Sequence, residues 1–347
     1  MWPQAASSLG GLTGDRASPP LAAHNETVGR RRMPATGSSI FADADGYQAT
    51  LQDMLDLVVL QPRDFSARLT WVELPSLHLL RAQEASARLA YLRLPPGKIF
   101  VTFLTQKGLP LICSGAELQF GDIMFHSRGE RGHQRTTART RWGCVSLTPA
   151  SLLTFGETIA GRSLVPPPSG CIIRPISTDL HQLLRLHAQA GRIAETNLAR
   201  IGHKEVVRAM EQDLIFALVK CLATCEVHED QPTRRHQAAV LVQLEAVLAA
   251  NPFRILRTRE LCSAIGVSEQ TLRASCARVL GMTADRYQRL RRLKLVRTEL
   301  MATNRAAANV AEVISRYGFA DLHRFVTEYW DAYGEMPPIP PRDSTGP

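Results

Sequence analysis

The last third of this 347-residue chain writes the same local grammar twice, about fifty residues apart, and that recurrence limits its fold more than any other feature. In the first copy Thr258 is placed to cap a helix running Arg259-Glu260-Leu261-Cys262-Ser263-Ala264. Glu260 lies in its first turn, where the helix dipole favours an anion. Ile265-Gly266-Val267 breaks the helix, and Gly266 supplies the positive φ that a tight turn between helices needs. Ser268 caps a second helix, Glu269 to Leu280, closed by Gly281. Leu261, Ile265, Val267, Leu272 and Val279 form the expected shared core, and Cys262 is the small residue where the helices cross. In the second copy Asn309 and Glu312 fit a capping box. Val310–Tyr317 is a short helix, Gly318 the turn, and Phe319 the buried residue after it. Asp321 to Tyr333 follows as a second helix with Leu322, Phe325 and Tyr329 inward, stopped by Gly334-Glu335-Met336-Pro337. The intervening Thr283–Met301 spans about 28 Å as a helix.

Charge points to the same region. The chain carries a net +9, and +6 of it falls from Thr233 onward, where 17 Lys/Arg stand against 11 Asp/Glu. Between Arg254 and Arg305 the ratio is 12 to 4. A basic third with helical pairs admits nucleic acid as a partner. One DNA turn is about 34 Å, so a rod of the predicted length suits two recognition helices in successive major grooves.

These residues resemble the AraC/XylS family of bacterial transcription regulators. The resemblance covers 236–338 and rests on Leu261, Gly266-Val267-Ser268, Leu272, Leu280-Gly281-Met282, Tyr287, Leu293, Arg297, Leu300, Gly318-Phe319, Phe325, Tyr329 and Gly334-x-x-Pro337. Gly318-Phe319-Ala320-Asp321-Leu322-His323-Arg324-Phe325 is similar to the subgroup containing the ethanolamine-utilisation regulator. Three positions depart from the family pattern. Ile314 replaces the usual Ala, Ala274 stands where many members have Arg, and Pro338-Ile339-Pro340-Pro341 disfavours a further helix. The resemblance implies an operator in double-stranded DNA, a small-molecule effector, a homodimer, contact with RNA polymerase, and a bacterial cytoplasmic location at the nucleoid.

In such a pair the outward residues at the start of the second helix reach base edges. In the first unit these are Glu269, Gln270, Arg273 and Ala274, with Arg273 suited to guanine O6/N7 and Gln270 to adenine. In the second unit they are Leu322, His323, Arg324 and Thr327. Arg257, Arg278, Arg289, Arg291, Arg292, Lys294 and Arg305 are the phosphate candidates, about half of them expected only to solubilise a helix face.

Upstream, residues 1–40 read as a disordered extension rich in Gly, Ser, Pro and Ala. Arg30-Arg31-Arg32 has no apolar partner segment that would make an export signal, and Met33 offers a second translation start. Asn25-Glu26-Thr27 matches a glycosylation sequon without support elsewhere. Residues 41–165 read as a β-rich domain with strands at Leu69–Leu74, Leu77–Ala82, Arg88–Arg93 and Lys98–Leu104. Gly115-x-x-Leu118-x-x-Gly121-Asp122-Ile123 is similar to a cupin turn, which implies a cupin-like barrel acting as sensor. Phe103, Cys113 and Trp142 are strand residues that either line a pocket or fill the barrel core, the core being favoured.

A Pro-rich linker follows at 165–170, then a helical segment over 171–227. Ser177 caps a helix with Leu180, Leu183, Leu184 and His187; a second carries Val207, Met210, Leu214, Ala217, Leu218 and Cys221 on one stripe, to pack on its own barrel or on a second subunit. A polar linker (228–236), the DNA-binding domain (237–338) and a Pro-rich tail (339–347) complete an α+β multidomain chain.

Enzymatic readings have less behind them. The seven cysteines form no C-x-x-C pair, and Cys221 and Cys225 read as helix-core residues. They are too scattered for the repair methyltransferase that carries an AraC-type module, which needs an activated thiolate and a four-Cys zinc cluster. The strongest alternative is a metal-dependent cupin enzyme fused to a DNA-binding module. His78, His126 and His133 are dispersed, however, with no H-x-H. No phosphate-binding Gly loop or Ser/His/Asp set is present, so no cofactor and no catalytic residue are expected. No apolar run is long enough for a membrane span.

Overall fold

The computed structural model describes residues 36–51, 54–60, 65–196, 203–227, 232–302 and 307–337. Its N-terminal part is two antiparallel sheets face to face. Eight strands lie in the order β1 (Thr36–Phe41), β3 (Ala67–Glu73), β4 (His78–Glu84), β11 (Thr140–Leu147), β6 (Ile99–Leu104), β9 (Ile123–Phe125), β12 (Cys171–Arg174) and β13 (Glu226–Val227). The second sheet has β2 (Leu55–Val59), β5 (Arg88–Arg93), β10 (Arg131–Thr136), β7 (Leu111–Cys113) and β8 (Ala116–Leu118). Period-two alternation separates the faces. Leu69, Ala82, Leu104, Trp142 and Cys144 point between the sheets, joined by Leu57 and Leu92. Val72, Leu79, Val101, Phe103 and Val145 point out from the eight-stranded sheet.

That outer face is covered by α2 (Pro149–Ala160), α3 (Ser177–Thr196) and α4 (Lys204–Ala223). The predicted stripe of the last helix seats here, with Leu214, Ala217, Leu218 and Cys221 buried against the sheet. Leu180, Leu183 and His187 of α3 join them, and Phe103 belongs to this layer rather than to the space between the sheets. Cys113 and Trp142 do face that space.

Several boundaries differ from the sequence reading. Residues 36–40, assigned to the extension, form most of β1, because Thr36–Phe41 pairs along the whole of β3. The 165–170 stretch joins α2 to β12 within the β-rich part, and the 171–227 segment contributes β12 and β13 to the sheet. The barrel is an open pair of sheets. The 228–236 linker gives way at Pro232 to α5 (Pro232–Ala250), proline being at ease in a first helical turn. Two further helices, α1 (Ala44–Thr50) and α2, were missed, though Asp43 and Thr148-Pro149 are recognisable start signals. The extension to residue 35, Arg305 and the tail from 338 lie outside the described residues.

The C-terminal third is all helix: α6 (Thr258–Ile265), α7 (Glu269–Val279), α8 (Ala284–Ala302), α9 (Ala307–Arg316) and α10 (Leu322–Tyr333). It holds two small cores. Leu241, Leu244, Leu261, Leu272, Cys276 and Val279 make the first, with α5 as an added wall. Val296, Ile314, Phe319, Phe325 and Tyr329 make the second. The rod between them, α8, is 19 residues long, as its sequence predicted.

Candidate nucleic-acid interface

Local signals place both helical pairs. Gly266 and Gly318 take φ of +79° and +78° at the two turns. Ser268 caps α7 by accepting from Thr271 N at 3.1 Å, and Asp321 caps α10 by accepting from His323 N and Arg324 N. Arg257, not Thr258, is the N-cap of α6; its backbone N–H donates to Glu260 Oε2 at 2.8 Å. Gly281 leaves α7 with φ +70°.

The helical period then sorts inside from outside. On α7, Leu272, Ser275, Cys276 and Val279 are buried, while Glu269, Gln270, Arg273 and Ala274 are exposed on the opposite face. Arg259 of α6 pairs with Glu269 at 3.6 Å across the turn. On α10, Phe325 and Tyr329 are buried and Leu322, His323, Arg324 and Thr327 are exposed. Leu322 therefore sits outside the core it was expected to join. Arg324 Nε donates to Glu328 at 2.9 Å, and Thr327 Oγ1 donates back to His323 O.

The phosphate candidates divide sharply. Arg257 is exposed. Arg278 Nε donates to Gly115 O at 3.3 Å, in the tight β7–β8 turn. Arg289 forks onto the Glu328 carboxylate. Arg292 is buried, donating to Tyr317 O at 3.0 Å with its guanidinium over Phe319. Arg291 pairs with Glu245 and Lys294 with Asp56, the latter also donating to Leu57 O at 2.8 Å. In this arrangement those five cations are held by partners within the chain.

The last two belong to a stripe of α8 that faces the β-rich part. Tyr287, Arg291, Lys294 and Arg297 recur at helical spacing. Arg297 pairs with Asp45 and Glu335 and stacks on Tyr333, its centre 4.5 Å from the ring. Burial works against its charge, but the hydrogen bonds to Glu335 and Asp45 outweigh that and hold its pKa above the usual range. At the near end His133, on β10, lies 3.1 Å from both Glu245 Oε1 and the Tyr287 hydroxyl. None of His133, Glu245 and Tyr287 was singled out for this role, because their partners lie 42 to 154 residues away.

Burial, seconded by Arg291, pulls the His133 pKa down to about 3, so its ring is neutral. With Nδ1 unpartnered among the described residues, the proton sits on Nε2, where it donates to the carboxylate. An unfolded His titrates near 6.5, so between those values only the unfolded chain binds the proton. The stabilisation is complete above about pH 6.5 and lost as pH falls toward 3. Going from pH 7 to pH 5 is expected to remove about 2 kcal/mol through this residue. His133→Gln keeps a donor to Glu245 and should lose that much less in urea titrations at the two pH values. His187, also depressed by burial, to about 4, contributes equally to both proteins and cancels.

His78 and His126 are engaged elsewhere. His126 bonds Thr102 and Glu130, and His78 faces Glu73. Among the described residues no group of three or more His, Cys, Asp or Glu is arranged to hold a metal. Burial pushes the thiols of Cys113, Cys221 and Cys276 up to about 12 and that of Cys144 up to about 11, away from nucleophilic thiolate.

Residues 261–338 match a family model described as a helix-turn-helix domain, and the match spans both helical pairs and the rod between them. The C-terminal third carries an AraC-type helix-turn-helix domain. Over 90 residues, 26% of this chain, it is 29% identical to a probable thc operon regulatory protein of Rhodococcus erythropolis. The match covers 27% of that relative's length. Among solved structures, the chain is similar to the AraC-like transcriptional activator CuxR, at TM-score 0.41 and 16% identity over 76% of this chain and 94% of that one. ToxT from Vibrio cholerae gives TM-score 0.28 and 10% identity, covering 76% and 96%. The domain thus brings Glu269, Gln270, Arg273, His323 and Arg324 to its surface in the first turns of α7 and α10.

Proposed function

We propose that the chain is a sequence-specific transcription regulator, reading double-stranded DNA with the first turns of α7 and α10. The observation that carries this reading is the AraC-type pair itself, with both helix starts capped and exposed. Glu269, Gln270, Arg273, Leu322, His323, Arg324 and Thr327 are the base readers in this proposal. Arg257, exposed on the same domain, is the phosphate contact in this proposal. Arg278, Arg289, Arg291, Arg292 and Lys294 join it only if their internal partners release them.

The β-rich part then acts as the control element. An effector that favours one seating of α8 against β2 and β10 shifts the population of DNA-competent chains. A small internal cavity of about 50 Å³ lies between the sheets, against Leu80, Phe100, Trp142 and Cys144 with Thr102 and His126 at its polar side. A homodimer, contact with RNA polymerase, a cytoplasmic location and the absence of catalytic chemistry belong to the same reading. It is supported by relatives that are regulatory proteins. Among the described residues no helix is long and apolar enough to cross a membrane.

Footprinting of the full chain on the promoters flanking its own gene tests the proposal. Arg273→Ala is expected to cost about 1–3 kcal/mol at one operator position and to relax preference there. Arg257→Ala should weaken binding on all sequences and lower the salt slope by about one. Uniform loss in the first variant, or an unchanged slope in the second, removes the role assigned to that residue.

A further inference from the structure

The outer face of the eight-stranded sheet is not wholly covered by helices. Near its far end α3 still crosses the row Ser38–Thr70–Arg81–Gly143, where Thr70 Oγ1 donates to Glu195 at 2.8 Å. The next row on the same face is Ile40–Arg68–Gln83–Arg141, aligned in register across β1, β3, β4 and β11. It lies beyond α3, and Ile40 is 67% exposed. Arg139, from the β10–β11 turn, and Ser66 close the end of this row around a cavity of about 300 Å³. A second cavity of about 120 Å³ continues past Arg139 and Arg141 to Gln106 and Lys107.

The groove so formed holds three guanidinium groups and an ammonium. Among the described residues no carboxylate pairs with Arg68, Arg139 or Arg141; Arg141 instead donates to the neutral Gln106 amide at 2.6 Å. Among the described residues Glu84 is the one acidic residue lining the larger cavity, and its charge is already spent. Its Oε1 accepts from Tyr47 and Trp142, and its Oε2 from the buried Arg88. Concentrating like charge on one sheet face disfavours the fold unless an anion answers it. Arg68 and Arg141 stand two strands apart, about 10 Å, so their forks reach separate groups of one ligand.

We infer that this groove is a binding site for a small phosphorylated metabolite carrying at least two negative charges. Planar guanidinium forks suit phosphate oxygens, and the separation of Arg68 from Arg141 suits two anionic groups better than one. The Gln83 and Gln106 amides and the Ser66 hydroxyl supply neutral hydrogen bonds between them. The site lies on the sheet, apart from the helix starts assigned to DNA, and stands whether or not those helices read an operator.

Calorimetry on the full chain at 150 mM salt, with pyrophosphate as probe and citrate as an equally charged carboxylate, tests it. Pyrophosphate is expected to bind, Arg68→Gln and Arg141→Gln each to weaken it at least tenfold, and citrate to bind at least tenfold less tightly. Circular dichroism melts of the two variants, expected to match the parent, separate lost binding from lost fold. Undiminished binding in the double variant, or no binding at this salt, overturns the site. Citrate binding as tightly as pyrophosphate overturns the phosphate assignment. Affinity for DNA should be unchanged in Arg68→Gln; a tenfold loss there would make the groove a nucleic-acid contact and overturn the proposal.

Discussion

Glu245→Ala is expected to destabilise the folded chain by about 2–4 kcal/mol, because it strips the partner from a half-buried cation and breaks a buried hydrogen-bond network. The Glu245 carboxylate, almost wholly buried on α5, receives Tyr287 and His133 on one oxygen and Arg291 on the other. Removing it leaves the half-buried Arg291 guanidinium facing a neutral wall, already burdened by desolvation. Two elements should feel the loss together, since the carboxylate joins β10 to α5 and α8. Glu245→Gln retains an acceptor for one donor and should cost less. Denaturant titration at pH 7 gives the comparison, and a loss below about 1 kcal/mol in the alanine variant would show that Arg291 finds another partner.

The second large effect is expected at Phe325. Its ring is fully buried, packs edge-on against Phe319 at 5.2 Å between centroids, and touches Tyr329 at 5.7 Å. Phe325→Ala should cost about 3–5 kcal/mol, a large share of the stability of so small a core. Among the described residues ten buried side chains form that core, and it shares none of them with the core under α7. Hydrogen exchange should therefore show α9 and α10 opening while α6 and α7 keep their protection. On DNA the footprint should shorten at the end read by the second unit. Equal loss of protection in both units would show that α8 couples them into one cooperative body.

The helical pairs were legible in the sequence because their determinants are local. Ser268, Asp321, Gly266 and Gly318 act on backbone groups within four residues, and the stripes Leu272–Val279 and Phe325–Tyr329 recur at the helical period. The strands β5 and β6 were legible for the same reason, from alternation and the turns between them. α5 was not. Its Val240, Leu241, Leu244 and Leu248 stripe follows a polar, proline-marked stretch that reads equally as a linker. β1 escaped because a strand in a Gly/Ser-rich stretch is defined by its neighbour, here β3, thirty or so residues on.

Basic composition by itself pointed to the C-terminal third as an anionic partner's surface, and the caps, turns and periodic stripes gave that third two helix-turn-helix units. Only the tertiary structure decided which of its cations face outward. Arg273 and Arg257 remain exposed, whereas Arg291, Lys294 and Arg297 turn toward Glu245, Asp56 and Asp45, the last two lying 238 and 252 residues away in the chain. A helix cap or stripe is set by the residues beside it. An ion pair is set by whatever the fold carries within about 4 Å, which no local pattern on α8 records.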